Sequence, residues 1–450
     1  MNIEEFKEAL FAKGREAGFA EMEIYYANGR SISVSVLKGE IDAYKNAQSG
    51  GLSFRGLIGG KMGYSSTERL DHESIDYLLD EAAGNAEVLE NKEPEELFAG
   101  SEHYHSVNTY WASVMATPPD QLIEAAFKME RIALSADPRI DMVRRSAASV
   151  SESEVLIVNT KGLNCHRKHS SASASIYVLA KESKDAKETV TGGWFDFSLR
   201  SFDDIDVEAV ALTGVREAVS KLGAETVQSD QYPVIFRNDA ATSLLSSFAS
   251  VFSAESVDKG FSRLKGKLGE QVAGSNITII DDPLMENAPT SKAFDAEGSA
   301  TARHELVKDG RLLTFLHNRK TAKKAGAEST ANAAKGGYKG TVEVSYHNLY
   351  IAPGTAGLDE IIHGTERGIL IVELQGLHAG TNATSGSFSL AAIGYLVERG
   401  EIVRPVNQIT VSGNFFELLS GIETIGNDPR FIGSCTSPTL KVSSLSVSGA

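Results

Sequence analysis

Histidine beside glutamate is the signature of a zinc helix, so His304-Glu305 is the first pair to test. The chemistry needs a second histidine four or five residues on, aimed at the same ion. Those positions hold Lys308 and Asp309. Asp309-Gly310 is moreover a hairpin signal, and a hairpin cannot present two ligands as a helix does. The pair is assigned no metal role. His103 and His105 would share a face if extended, and His166 and His169 have metal-like spacing, with Cys165 beside His166. Neither group has a third and fourth ligand nearby. The first reads as loop histidines at the surface, the second as a solvated strand face. Cys435, in Gly433-Ser434-Cys435-Thr436, reads as a buried, inert thiol, because a nucleophile needs a base beside it. Gly56-x-x-Gly59-Gly60 lacks the strand and helix that make a glycine run bind a dinucleotide. No catalytic residue is assigned.

The elements that would position these groups follow from periodicity. Residues 2–17 predict an amphipathic helix with Ile3, Phe6 and Leu10 on one face. Alternation then predicts strands at Glu23–Tyr26, Ser31–Leu37, Glu40–Asn46, Gly51–Leu57 and Lys61–Ser65, a meander turning at Lys38-Gly39 and Gly59-Gly60. A helix is expected over 70–92 and a looser linker over 93–117, ending in Pro118-Pro119. After a helix at 120–135 come strands Asp141–Val150, Ser153–Asn159 and Asn164–Ala180, with a turn at Lys161-Gly162. The two strand–KG–strand units form a weak repeat. They read equally as two packed layers, one continuous sheet, or two unrelated hairpins. Helices at 205–223 and Asp239–Val251 bracket a short strand at 233–236. Strands dominate from 276 onward: Glu305–Val307, Leu312–Leu316, Leu349–Ala352, Gly368–Leu374, Ala391–Val397 and Glu401–Val403. The fold class is α+β, with an N-terminal α/β part of meander and flanking helices and a C-terminal β-rich, barrel-like part. Three domains are expected, at 1–95, 118–225 and 226–450.

Composition bounds the function. Forty-one glycines against 11 prolines suit strands joined by tight turns. A net charge of −16 without a long basic run disfavours nucleic acid as a direct partner. Two cysteines make no disulfide framework, the first residues have no signal-peptide pattern, and no apolar run is long enough to span a bilayer. A cytoplasmic setting is the expectation.

Three C-terminal segments carry a resemblance. The first is Phe294-Asp295-Ala296-Glu297-Gly298 followed by His304–Gly310 and Leu313–Arg319, a D-x-E-G turn, hairpin and short helix at Thr321–Ala325. The second is Gly386-Ser387-Phe388-Ser389 with Gly394–Ile402, Pro405-Val406 and Ile409–Asn414. The third is Ile425-Gly426-Asn427-Asp428 with Ser437–Val442. Their order resembles the TldD/PmbA (TldD/TldE) metalloprotease family, also called modulators of DNA gyrase. TldD-type chains carry H-E-x-x-x-H on the helix after a short strand and take a third ligand from a cysteine near the region of Cys435. Here that helix reads Leu244-Leu245-Ser246-Ser247-Phe248-Ala249-Ser250-Val251. Ser246 and Val251 stand at the histidine positions and Ser247 at the glutamate, and hydroxyl and isopropyl groups are poor or impossible zinc ligands.

The resemblance is therefore to the TldE/PmbA type. It implies a subunit with no metal of its own, zinc in a TldD-type partner, unfolded peptides as substrates, and a homodimer when alone. It also places Gly376, His378, Gly380, Thr381 and Asn382 near a peptide-binding cleft, where backbone groups would pair an extended peptide. A glycine-rich loop is the equal alternative. The rival function is a stand-alone peptide-binding or gyrase-linked regulator without hydrolysis.

Overall fold

The computed structural model describes residues 1–88 and 96–449. The end of the expected helix (89–92) and the start of the expected linker (93–95) lie outside the described residues. Within the linker, Ala112–Met115 forms one helical turn.

The alternating segments build one six-stranded antiparallel sheet, ordered Lys61–Thr67, Glu40–Ile58, Glu21–Leu37, Ile140–Asn159, Asn164–Ala180, Val190–Ser198. The two hairpin units thus join into a continuous sheet through Glu21–Leu37 and Ile140–Asn159. Helices Ile3–Glu16 and His72–Val88 pack Phe6, Leu10, Ile75 and Leu78 against Ile24, Leu52 and Phe54. Helices Pro119–Ala136 and Val207–Val219 cover Ile32, Val34, Val150 and Ile176. Proline at the first helical position suits the former, since its missing N–H would have no helical partner there.

Several boundaries differ from expectation. Glu21–Leu37 runs straight through Ala27–Arg30, and Ile140–Asn159 through Val150–Ser153. Each is flanked by paired strands on both sides, so ladder bonds override the local turn signal of Asn28-Gly29. The strand Val190–Ser198 was not foreseen. Its Gly192-Gly193 reads as a turn, yet a Cβ at Gly192 would sit 2.2 Å from the Ala218 nitrogen, so glycine there admits the helix backbone. The strand expected at Leu312–Leu316 shrinks to Arg311–Leu312.

In the C-terminal half, strands Glu401–Asn414, Ser387–Glu398, Arg367–Gln375, Asp230–Phe236 and Leu440–Ser448 are hydrogen-bonded in that order, and the last pairs back to the first, closing a barrel. A second, five-stranded sheet combines Arg311–Leu312, His304–Lys308, Ile279–Asp281, Leu349–Ile351 and, at its edge, Cys435–Thr436. The helix Asn238–Phe248 buries Ala240, Ala241, Leu244, Leu245 and Phe248 in the core they share.

The D-x-E-G segment clamps this half to the N-terminal sheet. The Asp295 carboxyl oxygens accept the N–H groups of Glu297 and Ser299 at 2.9 Å and of Ala333 at 3.0 Å. Gly298 has φ +79°, and a Cβ there would lie 2.7 Å from Leu163, in the turn joining the sheet strands Ile140–Asn159 and Asn164–Ala180. Beside it Tyr104 donates to the Gly298 carbonyl at 2.8 Å, and Lys335 donates to Ser53 at 2.9 Å. Among the described residues no helix is long and apolar enough to cross a membrane.

Candidate functional site

The helix Asn238–Phe248, the edge strand Cys435–Thr436 and the short helix Leu377–Gly380 meet around an open depression of about 390 Å³. Its lining is Thr242, Ser243, Ser246 and Ser247 from the helix, Gly433, Ser434 and Cys435 from the strand and its approach, and Leu377. The fold thus brings Ser246 and Ser247 together with Cys435, residues far apart in sequence. Thr242 ties the two elements, since its hydroxyl accepts the Ser437 N–H at 2.8 Å.

None of the lining side chains is charged. Ser243 and Ser247 donate to carbonyls one turn back, Asp239 and Ser243, both at 2.9 Å. Ser246 is exposed. Val251 is not part of the depression. The helix ends at Phe248, and the 3-10 turn Ala249–Phe252 carries Val251 into the core at 0% exposure. Cys435 is 6% exposed, and burial pushes its thiol up to about 12, with the negative Asp281 nearby adding to the rise.

This donor set does not fit zinc, which wants thiolate, imidazole or carboxylate. Two hydroxyls already donate to backbone, the thiol is protonated, and valine offers nothing. Among the described residues no group of three or more His, Cys, Asp and Glu is arranged to hold a metal. A direct consequence concerns reactivity, because only thiolate attacks alkylating agents. Native Cys435 is expected to react with iodoacetamide at neutral pH on the order of a hundredfold more slowly than in urea-unfolded chain, read by peptide mass spectrometry. Equal native and unfolded rates would contradict the burial.

The remaining candidates stay apart from the depression. His304 and Glu305 lie in a strand, with Glu305 bound to Lys308 at 2.9 Å, and burial lowers the His304 pKa. His103 and His105 are exposed outside regular structure. His166 meets Glu154 at 2.6 Å, whereas His169 reaches the Pro289 carbonyl at 2.9 Å and is lowered by burial. Of the expected peptide-binding stretch, only its neighbour Leu377 lines the depression. Its backbone is coiled on itself rather than open. Ala379 and Gly380 donate to the Gly376 carbonyl, and Asn382 donates to that of Ser387, so His378 and Thr381 sit on a closed turn rather than a free edge. The N–H groups of Ala379, Gly380 and Asn382 are thereby occupied within the chain.

Residues 22–86, 116–222 and 229–449 match the family models for PmbA/TldA metallopeptidase domain 1, central domain and C-terminal domain. The chain belongs to the TldD/PmbA/TldE family. It is 30% identical to the metalloprotease PmbA of Escherichia coli O157:H7 over 69% of this chain and 66% of that one. A crystal structure from Thermotoga maritima, of a protein described as a proposed modulator of a DNA gyrase, superposes with a TM-score of 0.91 at 33% identity, covering 99% of this chain and 100% of that one. TldE from Thermococcus kodakarensis superposes with a TM-score of 0.89 at 25% identity, covering 99% and 100%.

Proposed function

We propose that this chain is the TldE-type, metal-free subunit of a two-component metalloprotease, and that it needs a TldD-type partner to supply zinc. The observation that carries this is the donor set of the depression: the hydroxyls of Thr242, Ser243, Ser246, Ser247 and Ser434 and a protonated thiol, with Val251 turned into the core. A metal centre cannot assemble there without new ligands. The likeness to a solved TldE supports the same assignment. In this reading the chain closes the chamber over the partner's zinc, and the pair trims unfolded peptides. Its two buried, unpaired cysteines suit a reducing compartment such as the cytoplasm.

The test is zinc content by atomic emission, together with hydrolysis of an unstructured fluorogenic peptide, on the chain alone and mixed with a TldD-type chain. The expected result is sub-stoichiometric zinc and no hydrolysis alone, with zinc-dependent hydrolysis after mixing. Stoichiometric zinc and hydrolysis by the chain alone would overturn the proposal.

A further inference from the structure

The loop that follows the short helix Ala254–Asp258 is pinned by its backbone, yet it turns apolar side chains outward. Buried Ser262 donates to the Val251 carbonyl at 2.7 Å, and Leu264 packs in the core. The N–H groups of Phe261, Lys267 and Gly269 reach the carbonyls of Ser256, Leu264 and Leu312 at 2.8, 3.0 and 2.7 Å. Between these anchors Phe261 keeps 57% of its surface and Leu268 56%. Single exposed apolar residues are ordinary, so what distinguishes these two is the charge around them.

Residues 255–270 and 319–325 are joined where Lys324 donates to Asp258 at 2.6 Å. Together they hold eight Lys and Arg against three acids, in a chain where acids outnumber bases 60 to 44. Lys259, Lys267 and Lys324 meet Glu255, Glu270 and Asp258 in exposed pairs. Such pairs are weak and exchange partners at little cost. Lys265 is exposed and has no ion pair among the described residues. We infer that this loop and the helix Arg319–Ala325 form a docking surface for an acidic, unstructured peptide segment. Its carboxylates would meet the lysines, and an apolar side chain would rest on Phe261 or Leu268.

The surface flanks the depression. Arg263 lies over the Phe416 ring at 5.5 Å and donates to the Ser385 carbonyl at 3.0 Å. Ser385 belongs to the turn that follows the helix Leu377–Gly380, whose first residue lines the depression. An extended chain suits these lysines better than a bilayer does. Fields between exposed charges fade within about 8 Å at physiological salt. A narrow chain therefore meets the local cations, whereas a membrane plane also meets acids that make up the total of −16. The inference rests on the reading of this chain as a handler of unfolded peptides. Its test needs neither zinc nor the partner, so it and the two-component proposal fail separately.

The experiment is fluorescence anisotropy of a fluorescein-labelled unstructured peptide, glutamate-rich around one phenylalanine, titrated with the full chain. Matched peptides carry glutamine or lysine in place of glutamate. The glutamate peptide is expected to bind most tightly, and raising salt from about 0.05 M to about 0.5 M should weaken it about tenfold or more. Lys265→Glu should weaken it by a similar factor, and Phe261→Ser severalfold with the salt dependence unchanged. Lys45→Glu makes the same charge change at an exposed position of the N-terminal sheet and should leave affinity within about twofold. Circular dichroism confirms that each variant is folded. Equal affinity for the glutamate and glutamine peptides would overturn the inference. So would an equal loss in Lys45→Glu and Lys265→Glu, which would make the effect one of net charge alone. Co-sedimentation with phosphatidylserine vesicles, abolished by Lys265→Glu while the peptide stays unbound, would overturn it in favour of a lipid surface.

Discussion

Phe248→Ala is expected to destabilise the C-terminal half by about 3–5 kcal/mol. Phe248 ends the helix Asn238–Phe248 and is fully buried. Its ring stacks on Phe415 at 4.6 Å and 9° and meets Phe388 edge-on at 6.4 Å. Those partners lie on the short helix Phe415–Ser420 and on the barrel strand Ser387–Glu398, so one side chain ties helix to barrel. Truncation leaves a cavity that a closed barrel cannot collapse to fill, and the lost aromatic contacts add to the transfer cost. The check is the urea midpoint followed by near-ultraviolet circular dichroism. Ser246→Ala, two residues away but exposed, should stay within about 0.5 kcal/mol of wild type. A Phe248→Ala loss as small as that of Ser246→Ala would show that the helix does not seat in this core. The depression should suffer with it, since Thr242, Ser243, Ser246 and Ser247 are held in place by the buried side of the same helix.

That dependence marks the limit of what could be read from residues alone. The turns were legible. Lys38-Gly39, Asp309-Gly310 and Arg399-Gly400 all adopt positive φ at both positions, as two-residue hairpins with right-handed strand twist require. The sheet was legible through its alternation, and so was the short helix after Asn318, whose side chain caps it. Strand continuity through Asn28-Gly29 was not, because that dipeptide signals a turn and only the flanking strands overrule it. The barrel's closure rests on Thr410–Ser412 meeting Ser446–Ser448, a pairing that no local pattern announces. The site was half legible. Substitution at Ser246 and Ser247 could be read directly, but the approach of Cys435 to them is a fact of topology. The burial of Val251 depends on the helix ending at Phe248, one residue ahead of the 3-10 turn, where periodicity alone continued it. His378 and Thr381 were placed on a cleft by likeness, and glycine content could not distinguish a free edge from a closed turn.

Asp295 supplies the second large effect, and it runs opposite to ordinary acid denaturation. Burial at 2% exposure, reinforced by the neighbouring Glu297, raises its carboxyl to about 7, against the pull of three backbone N–H donors. Around it stand Lys292, itself lowered to about 8 by burial and by Arg167, and Asp281, raised to about 6 by burial, while Cys165 and Tyr25 feel its charge from the sheet. The folded chain therefore holds a proton on Asp295 that the unfolded chain releases near pH 4. Between about pH 4 and pH 7 the folded state binds more protons, so this group's contribution to stability falls as pH rises through that window and is flat above it. A carboxyl raised from about 4 to about 7 changes stability by roughly 4 kcal/mol across the window, or about 1.4 kcal/mol per pH unit. Asp295→Asn removes the titration but sets an amide N–H₂ against the Ala333 N–H, a pH-independent cost of about 1–3 kcal/mol. The readout is thus a slope. Unfolding free energy of wild type minus that of Asp295→Asn, measured in urea from about pH 5 to about pH 8, should fall as pH rises to about 7 and then level. A difference independent of pH would mean that the three backbone donors outweigh burial and hold Asp295 ionised throughout. In that case the D-x-E-G clamp would be an anion held by amides, and acidification would loosen the C-terminal half from the sheet instead of tightening it.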